Sequence, residues 1–178
     1  MNETFVCGTC GKSHVGPLTD HGYKLPDEVW AIPEPQRAER AKFTADLCQF
    51  EGRYFIRCIL FIPFTDGSGN FGWGVWVNVE PAVFDRYLAL YEADGSGEPL
   101  HPGRLANVLP AYDEPLGTKV AIQFGSSTQR PTVHLPPDAE SKLALEQRQG
   151  IGSSRYHEYL TAVSALRSAQ PSMPLRDG

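Results

Sequence analysis

The sequence predicts an α+β domain. An antiparallel sheet is built around a long central hairpin at about 53–80, with helices at about 81–93, 138–149 and 154–168 and an N-terminal arm rich in cysteine. Three observations carry this. Residues 53–64 and 71–80 are two neighbouring runs of aromatic and β-branched residues, separated only by the turn-forming Asp66-Gly67-Ser68-Gly69-Asn70. Phe84, Tyr87, Leu88 and Tyr91 recur at i, i+3, i+4 and i+7, the spacing of one helical face. A chain of 178 residues supports one sizeable core rather than two.

The elements follow in order. Residues 15–36 are rich in Pro and Gly and are expected to be mostly loop, with a short helical turn over 37–43. Residues 44–50 form a first strand. Residues 53–64 are apolar at both odd and even positions, so this strand is central and covered on both faces. In 71–80, Phe71, Trp73, Val75, Val77 and Val79 share one face, and Gly72, Gly74, Trp76 and Asn78 the other. Pro81 suits the first turn of the following helix. Residues 98–115 carry four prolines and are expected to be loop, with a turn of helix near Leu105. Residues 116–124 alternate, and 132–135 add a short strand. Asp138 is the expected N-cap of a helix that stops at Gly150. Tyr156, Tyr159, Leu160, Val163 and Leu166 give the last helix its stripe. The single domain is expected over 1–168, with 169–178 a disordered tail.

Composition narrows the function. A net charge of −5 makes a nucleic-acid partner unfavourable. The most apolar stretch, 55–64, holds Arg57 and is too short to span a membrane, and no secretory leader is recognisable. A cytoplasmic protein is expected, in which four cysteines point to metal ligation or free thiols before disulfides.

Cys7-Gly-Thr-Cys10-Gly-Lys-Ser-His14 places three soft or borderline donors within eight residues. A two-residue gap lets both thiolates face one ion, and this donor set suits tetrahedral Zn2+. One structural zinc is expected in the segment 5–48, held by Cys7, Cys10, His14 and a fourth ligand. Cys48 is the choice for it, and Cys58, His21 or water are the alternatives. A redox dithiol is disfavoured because Gly11 and Gly16-Pro17 do not open a helix.

The runs Cys7-x-x-Cys10-Gly11-x-x-His14, Asp46-x-Cys48, Tyr54-Phe55-Ile56-Arg57 and Phe71-x-Trp73-Gly74-Val75-Trp76-Val77 resemble a bacterial family of unknown function, DUF2199. So do Gly103-x-Leu105-x-Asn107-x-Leu109-Pro110-x-Tyr112, Arg130-Pro131 and Leu143-Ala144-x-x-Gln147-x-x-Gly150-Ile151. The likeness covers roughly residues 5–160. Where such proteins tend to carry an Asp-His-Pro-Leu-Ala-like run, this chain has Glu140-Ser141-Lys142-Leu143-Ala144, so no role for that histidine transfers. The resemblance implies the zinc cluster, Cys48 included, and no activity.

The face bearing Gly72, Gly74, Trp76 and Asn78 leaves room over the sheet for a ligand or partner, with Arg57 on the next strand and Arg130 as a further cation. The competing reading is a helix packed tightly on that face, with the glycines making room for it. No histidine has a recognisable nucleophile or carboxylate partner, and no Gly-rich stretch has a phosphate-loop context. The expected role is a zinc-stabilised module that binds another protein, of regulatory or immunity type. The alternative is an enzyme or small-molecule binder with a pocket near Trp76, Arg57 and Arg130.

Overall fold

The computed structural model describes the strands Thr4–Val6 and Ser13–Val15 and residues 20–169. In chain order the elements are β1 (Thr4–Val6), β2 (Ser13–Val15), β3 (Asp20–Gly22), α1 (Asp27–Trp30), α2 (Glu34–Arg40), β4 (Ala41–Phe43) and β5 (Leu47–Phe50). Then come β6 (Arg53–Pro63), β7 (Asn70–Val79), α3 (Pro81–Ala89), β8 (His101–Leu105), β9 (Lys119–Gln123), β10 (Thr132–His134), α4 (Lys142–Gln149) and α5 (Ser153–Ala169).

The β6–β7 hairpin runs in unbroken antiparallel register from Tyr54↔Val79 to Pro63↔Asn70. Each of its outer edges is shared by two strands. On β7, Gly72 and Gly74 pair with β3, while Val77 and Asn78 pair with β8. On β6, residues 53–56 pair with β5, which carries β4, while Ile59 pairs with Thr132 of β10. Since β8 pairs β9 and β9 pairs β10, the strands β6, β7, β8, β9 and β10 close into a five-stranded barrel. The sheet is therefore not a purely antiparallel one. The β3–β7 and β10–β6 pairings are parallel, and closure removes the barrel's free edges.

Period two sorts the hairpin's side chains into two cores. Ile56, Cys58, Leu60, Trp73, Val75 and Val77 point into the barrel, where Phe84 of α3, Leu143 of α4 and Tyr159 of α5 join them. The opposite face presents Phe55 and Trp76. Leu25, Val29 and Ile32 close over these, with Cys48 and Phe50 of β5 beside them.

Several elements differ from the expectation. Helix α3 ends at Ala89 rather than 93, and Tyr91 is exposed, so the buried stripe is Val83, Phe84 and Tyr87. Helix α4 starts at Lys142, not 138. Ser141 is its N-cap and accepts from Ala144 N at 3.3 Å, and the Glu114 carboxylate accepts from Leu143 N at 3.0 Å. Residues 101–105 are strand β8, not loop. Pro102 and Gly103 hide the pattern, but β8 needs few amide donors toward β7, which it meets only at Leu105 and Arg104. Residues 27–40 hold α1 and α2 within a stretch expected to be mostly loop. Leu116 is exposed and outside β9. Ala169 is the last residue of α5, and the tail expected at 169–178 otherwise falls outside the described residues. No helix among the described residues is long and apolar enough to cross a membrane.

One buried side chain ties the two cores together. Asn107, 2% exposed, accepts from Trp76 N at 2.7 Å through Oδ1. Its Nδ2 donates to Leu25 O at 3.0 Å and to Asp27 Oδ1 at 2.7 Å. The second oxygen of Asp27 accepts from Val108 N at 2.7 Å. Asn107→Ala would leave a buried strand amide and a carbonyl without partners, at a cost of about 2–4 kcal/mol. Urea unfolding should show this as a fall in midpoint with little change in slope.

Candidate functional site

A cleft of about 730 Å3 opens where α3 ends. Its floor is apolar: Ile59 and Phe61 from the outer face of β6, Tyr87 and Leu90 from α3 and its C-cap, and Phe124 just after β9. Its rim is polar. Two loops form one side, around Gly95-Ser96 and around Gly125 to Arg130. Gly95 N donates to Gly125 O at 3.0 Å, and the Gln123 amide donates to Glu98 O at 2.8 Å, so the loops are fastened to each other. Gly125 sits where a Cβ would lie 2.7 Å from Gln129 O, so only glycine lets the loop fold back this tightly. Ser126 Oγ then reaches Thr128 Oγ1 at 3.3 Å and Gln129 Oε1 at 3.2 Å.

Asp46 and Arg130 complete the rim. Asp46 is presented by a tight turn in which Thr44 Oγ1 accepts from Asp46 N at 3.2 Å and from Leu47 N at 3.1 Å. Arg130 Nε donates to Asp46 Oδ1 at 2.6 Å, and Tyr91 Oη donates to Asp46 Oδ2 at 3.0 Å. Both carboxylate oxygens are thus engaged. The hydrogen bond to Asp46, ahead of burial, pushes the Tyr91 hydroxyl above its ordinary pKa. The terminal nitrogens of Arg130, on a side chain 40% exposed, have no partner among the described residues.

Arg57 stands beside this cluster without lining the cleft. Its backbone N donates to Asp46 O at 2.9 Å, and its Nη1 lies 3.4 Å from Ala45 O. Its Nε is buried with no partner among the described residues. Burial first, and the Arg130 charge second, lower its pKa, while Asp46 offsets them in part.

The structure brings Arg57 and Arg130 to one corner, and although Trp76 is the cross-strand partner of Arg57 it does not line the cleft. Trp76 is fully buried under Leu25, Val29 and Tyr23, and its indole N–H donates to Tyr23 O at 3.1 Å. The face around it is covered rather than open, and at Gly74 the cover is a strand rather than a helix: the room there is filled by β3, whose Gly22 Cα lies 3.1 Å from where a Cβ would be. Asn78 donates to Tyr54 O at 3.1 Å and holds the hairpin rather than lining the cleft.

Of the proposed metal ligands, Cys7 and Cys10 lie outside the described residues. His14 lies in β2, opposite Phe5 of β1. Cys48 is fully buried in the second core, and burial first and Glu28 second push its thiol up to about 11. Cys58 lies inside the barrel. His21 lies edge-on to Tyr23 and Trp73, and burial is the main cause of its lowered pKa. The described residues contain no group of three or more potential metal ligands.

Sequence reasoning missed Asp46 and Tyr91 as site residues, while the polar loop before Arg130 was legible. The Asp46-x-Cys48 run was a signal, but it drew attention to the cysteine. Tyr91 was assigned to a buried stripe because the helix was taken one turn too far.

The sequence profile of one family, DUF2199, described as an uncharacterized protein conserved in bacteria, matches residues 6–151. The chain belongs to this family. No curated protein and no solved structure matches it. Most of the runs that carry the DUF2199 likeness have structural work to do here. Asn107 brackets the cores. Gln147 accepts from Leu135 N and donates to Val133 O, each at 2.8 Å, and so extends the pairing of β10. Asp46 and Arg130 are the exception, since they meet at the mouth of a cleft. Helix α5 lies beyond the DUF2199 match, yet its Tyr159 and Arg155 hydrogen-bond to Glu146 within it, at 3.0 and 2.7 Å.

Proposed function

We propose that this protein is a small-molecule-binding module and that the cleft at the end of α3 is its ligand site. The observation that supports this best is the cleft itself. Its volume of about 730 Å3 lies within the range of small-molecule pockets, and an apolar floor meets a few convergent polar groups at one rim. The site is lined by Arg130 with Arg57 beside it, as the small-molecule alternative has it, but Trp76 does not line it. Ile59→Trp would fill the floor while keeping an apolar side chain on the outer face of β6. In a metabolite panel, a ligand at a hundred times its Kd should raise the melting temperature of the wild-type chain by about 5–10 °C. The same ligand should leave the folded Ile59→Trp variant unshifted. No shift with any metabolite, or an equal shift in the variant, would contradict the reading.

The N-terminal hairpin supports a second proposal, a structural zinc ion bound by Cys7, Cys10, His14 and Cys48. Strands β1 and β2 pair antiparallel, with His14 on β2, and the sequence between them holds both cysteines. A CxxC pair with a nearby histidine is a zinc donor set. Full burial of Cys48 fits a closed site. Native mass spectrometry should find one zinc per chain, lost in Cys10→Ala and in Cys48→Ala. Zinc kept in Cys48→Ala would remove Cys48 from the set, and a metal-free wild type would remove the ion.

A further inference from the structure

We infer that the cleft takes an organic anion: a carboxylate or phosphate bound at Arg130, with its apolar or aromatic body on the Ile59–Phe61–Leu90 floor. This rests on the small-molecule reading and adds the class of ligand. Three features of the rim carry it.

The first is the way Arg130 is held. Asp46 engages only Nε, which fixes the plane of the guanidinium and leaves its terminal N–H groups unspent. That end of a guanidinium matches two oxygens of a carboxylate or phosphate. The second is charge. Among the described residues, Asp46 and Arg130 are the only charged side chains lining the cleft, and the Arg57 backbone donates to Asp46 O from outside it. The Arg57 charge acts on both Arg130 and Asp46, so this corner keeps a positive excess in a chain whose net charge is −5. The third is the polar loop. Ser126, Ser127 and Thr128 line the same rim immediately before Arg130 and supply neutral hydroxyl donors.

Asp46 has two opposed effects on such a ligand. It orients Arg130 through one oxygen and is itself steadied by Tyr91 through the other. It also repels the incoming anion. Replacing its charge while keeping an acceptor should therefore help binding, whereas replacing Arg130 should harm it. A merely structural ion pair would make both changes act alike.

The test follows backbone amide shifts of isotope-labelled protein on titration with phenyl phosphate, phenylacetate and the neutral 2-phenylacetamide. Both anions should shift the amides of 125–130, and phenylacetamide should bind about tenfold or more weakly. The stronger of the two anions identifies the oxyanion class. Arg130→Gln should weaken the anions about tenfold or more and leave phenylacetamide unchanged, while Asp46→Asn should tighten the anions. If phenylacetamide binds as well as the anions, or if both variants lose the anions alike, the anion assignment falls and the cleft reading stands. If none of the three probes shifts 125–130, both fall.

Discussion

The structure depends on one long antiparallel pairing, β6 with β7. Ten residues of each strand are in register, so which side chains enter the barrel and which face outward is fixed along the whole hairpin. A one-residue slip of β7 would turn Trp73 and Val75 outward and put Trp76 and Asn78 into the barrel, at a prohibitive cost. Each outer edge is then long enough to serve two partners. One part of each closes the barrel, through β8 and β10, and the other carries β3 or β5. The cleft follows from this division of labour. Its floor is the part of the outer face of β6, at Ile59 and Phe61, that the second core leaves uncovered.

Buried polar groups set the rest of the geometry, because hydrophobic contact alone does not specify direction. Asn107 and Asp27 bracket the segment over Trp76. At the other end, the hydroxyls of Tyr112 and Tyr159 contact each other and both reach Glu146 Oε2, at 2.5 and 3.0 Å. Arg155 closes that network on Glu146 Oε1 and Ala111 O and lies over both tyrosine rings. Burial raises both tyrosine hydroxyls well above their ordinary pKa, so they act as neutral donors. Networks satisfied to this degree give rigidity. The rim at Asp46 differs in kind: Tyr91 and Arg130 are exposed, and part of the guanidinium is left over for something else.

Much of the fold was legible in the sequence. The hairpin stood out because its alternation runs unbroken through Phe71, Trp73, Val75 and Val77, and the three main helices had stripes or stop signals. Closure into a barrel was not legible, because it hangs on one parallel pairing, Thr132 with Ile59, between strands 73 residues apart in sequence (132 against 59), and local periodicity carries no trace of it. Strand β8 was hidden by Pro102 and Gly103. The site was half legible. Arg57 and Arg130 were singled out by residue type, but their common partner Asp46 lay in a short turn made by Thr44, which has no period to reveal it. Trp76 misled because two glycines on a strand face signal close approach without saying what approaches. Here it is β3, another backbone.

The account's central claim is that the cleft is a preformed site whose Arg130 end is ready for an oxyanion. The measurement that tests it most directly is a crystal structure of the full chain grown with phenyl phosphate. The account predicts the phenyl ring on Ile59 and Phe61, phosphate oxygens within hydrogen-bond reach of the terminal nitrogens of Arg130, and the Asp46 contact to Nε still in place. An empty cleft at saturating phenyl phosphate, or Arg130 turned wholly onto Asp46 with the phosphate bound elsewhere, would contradict it.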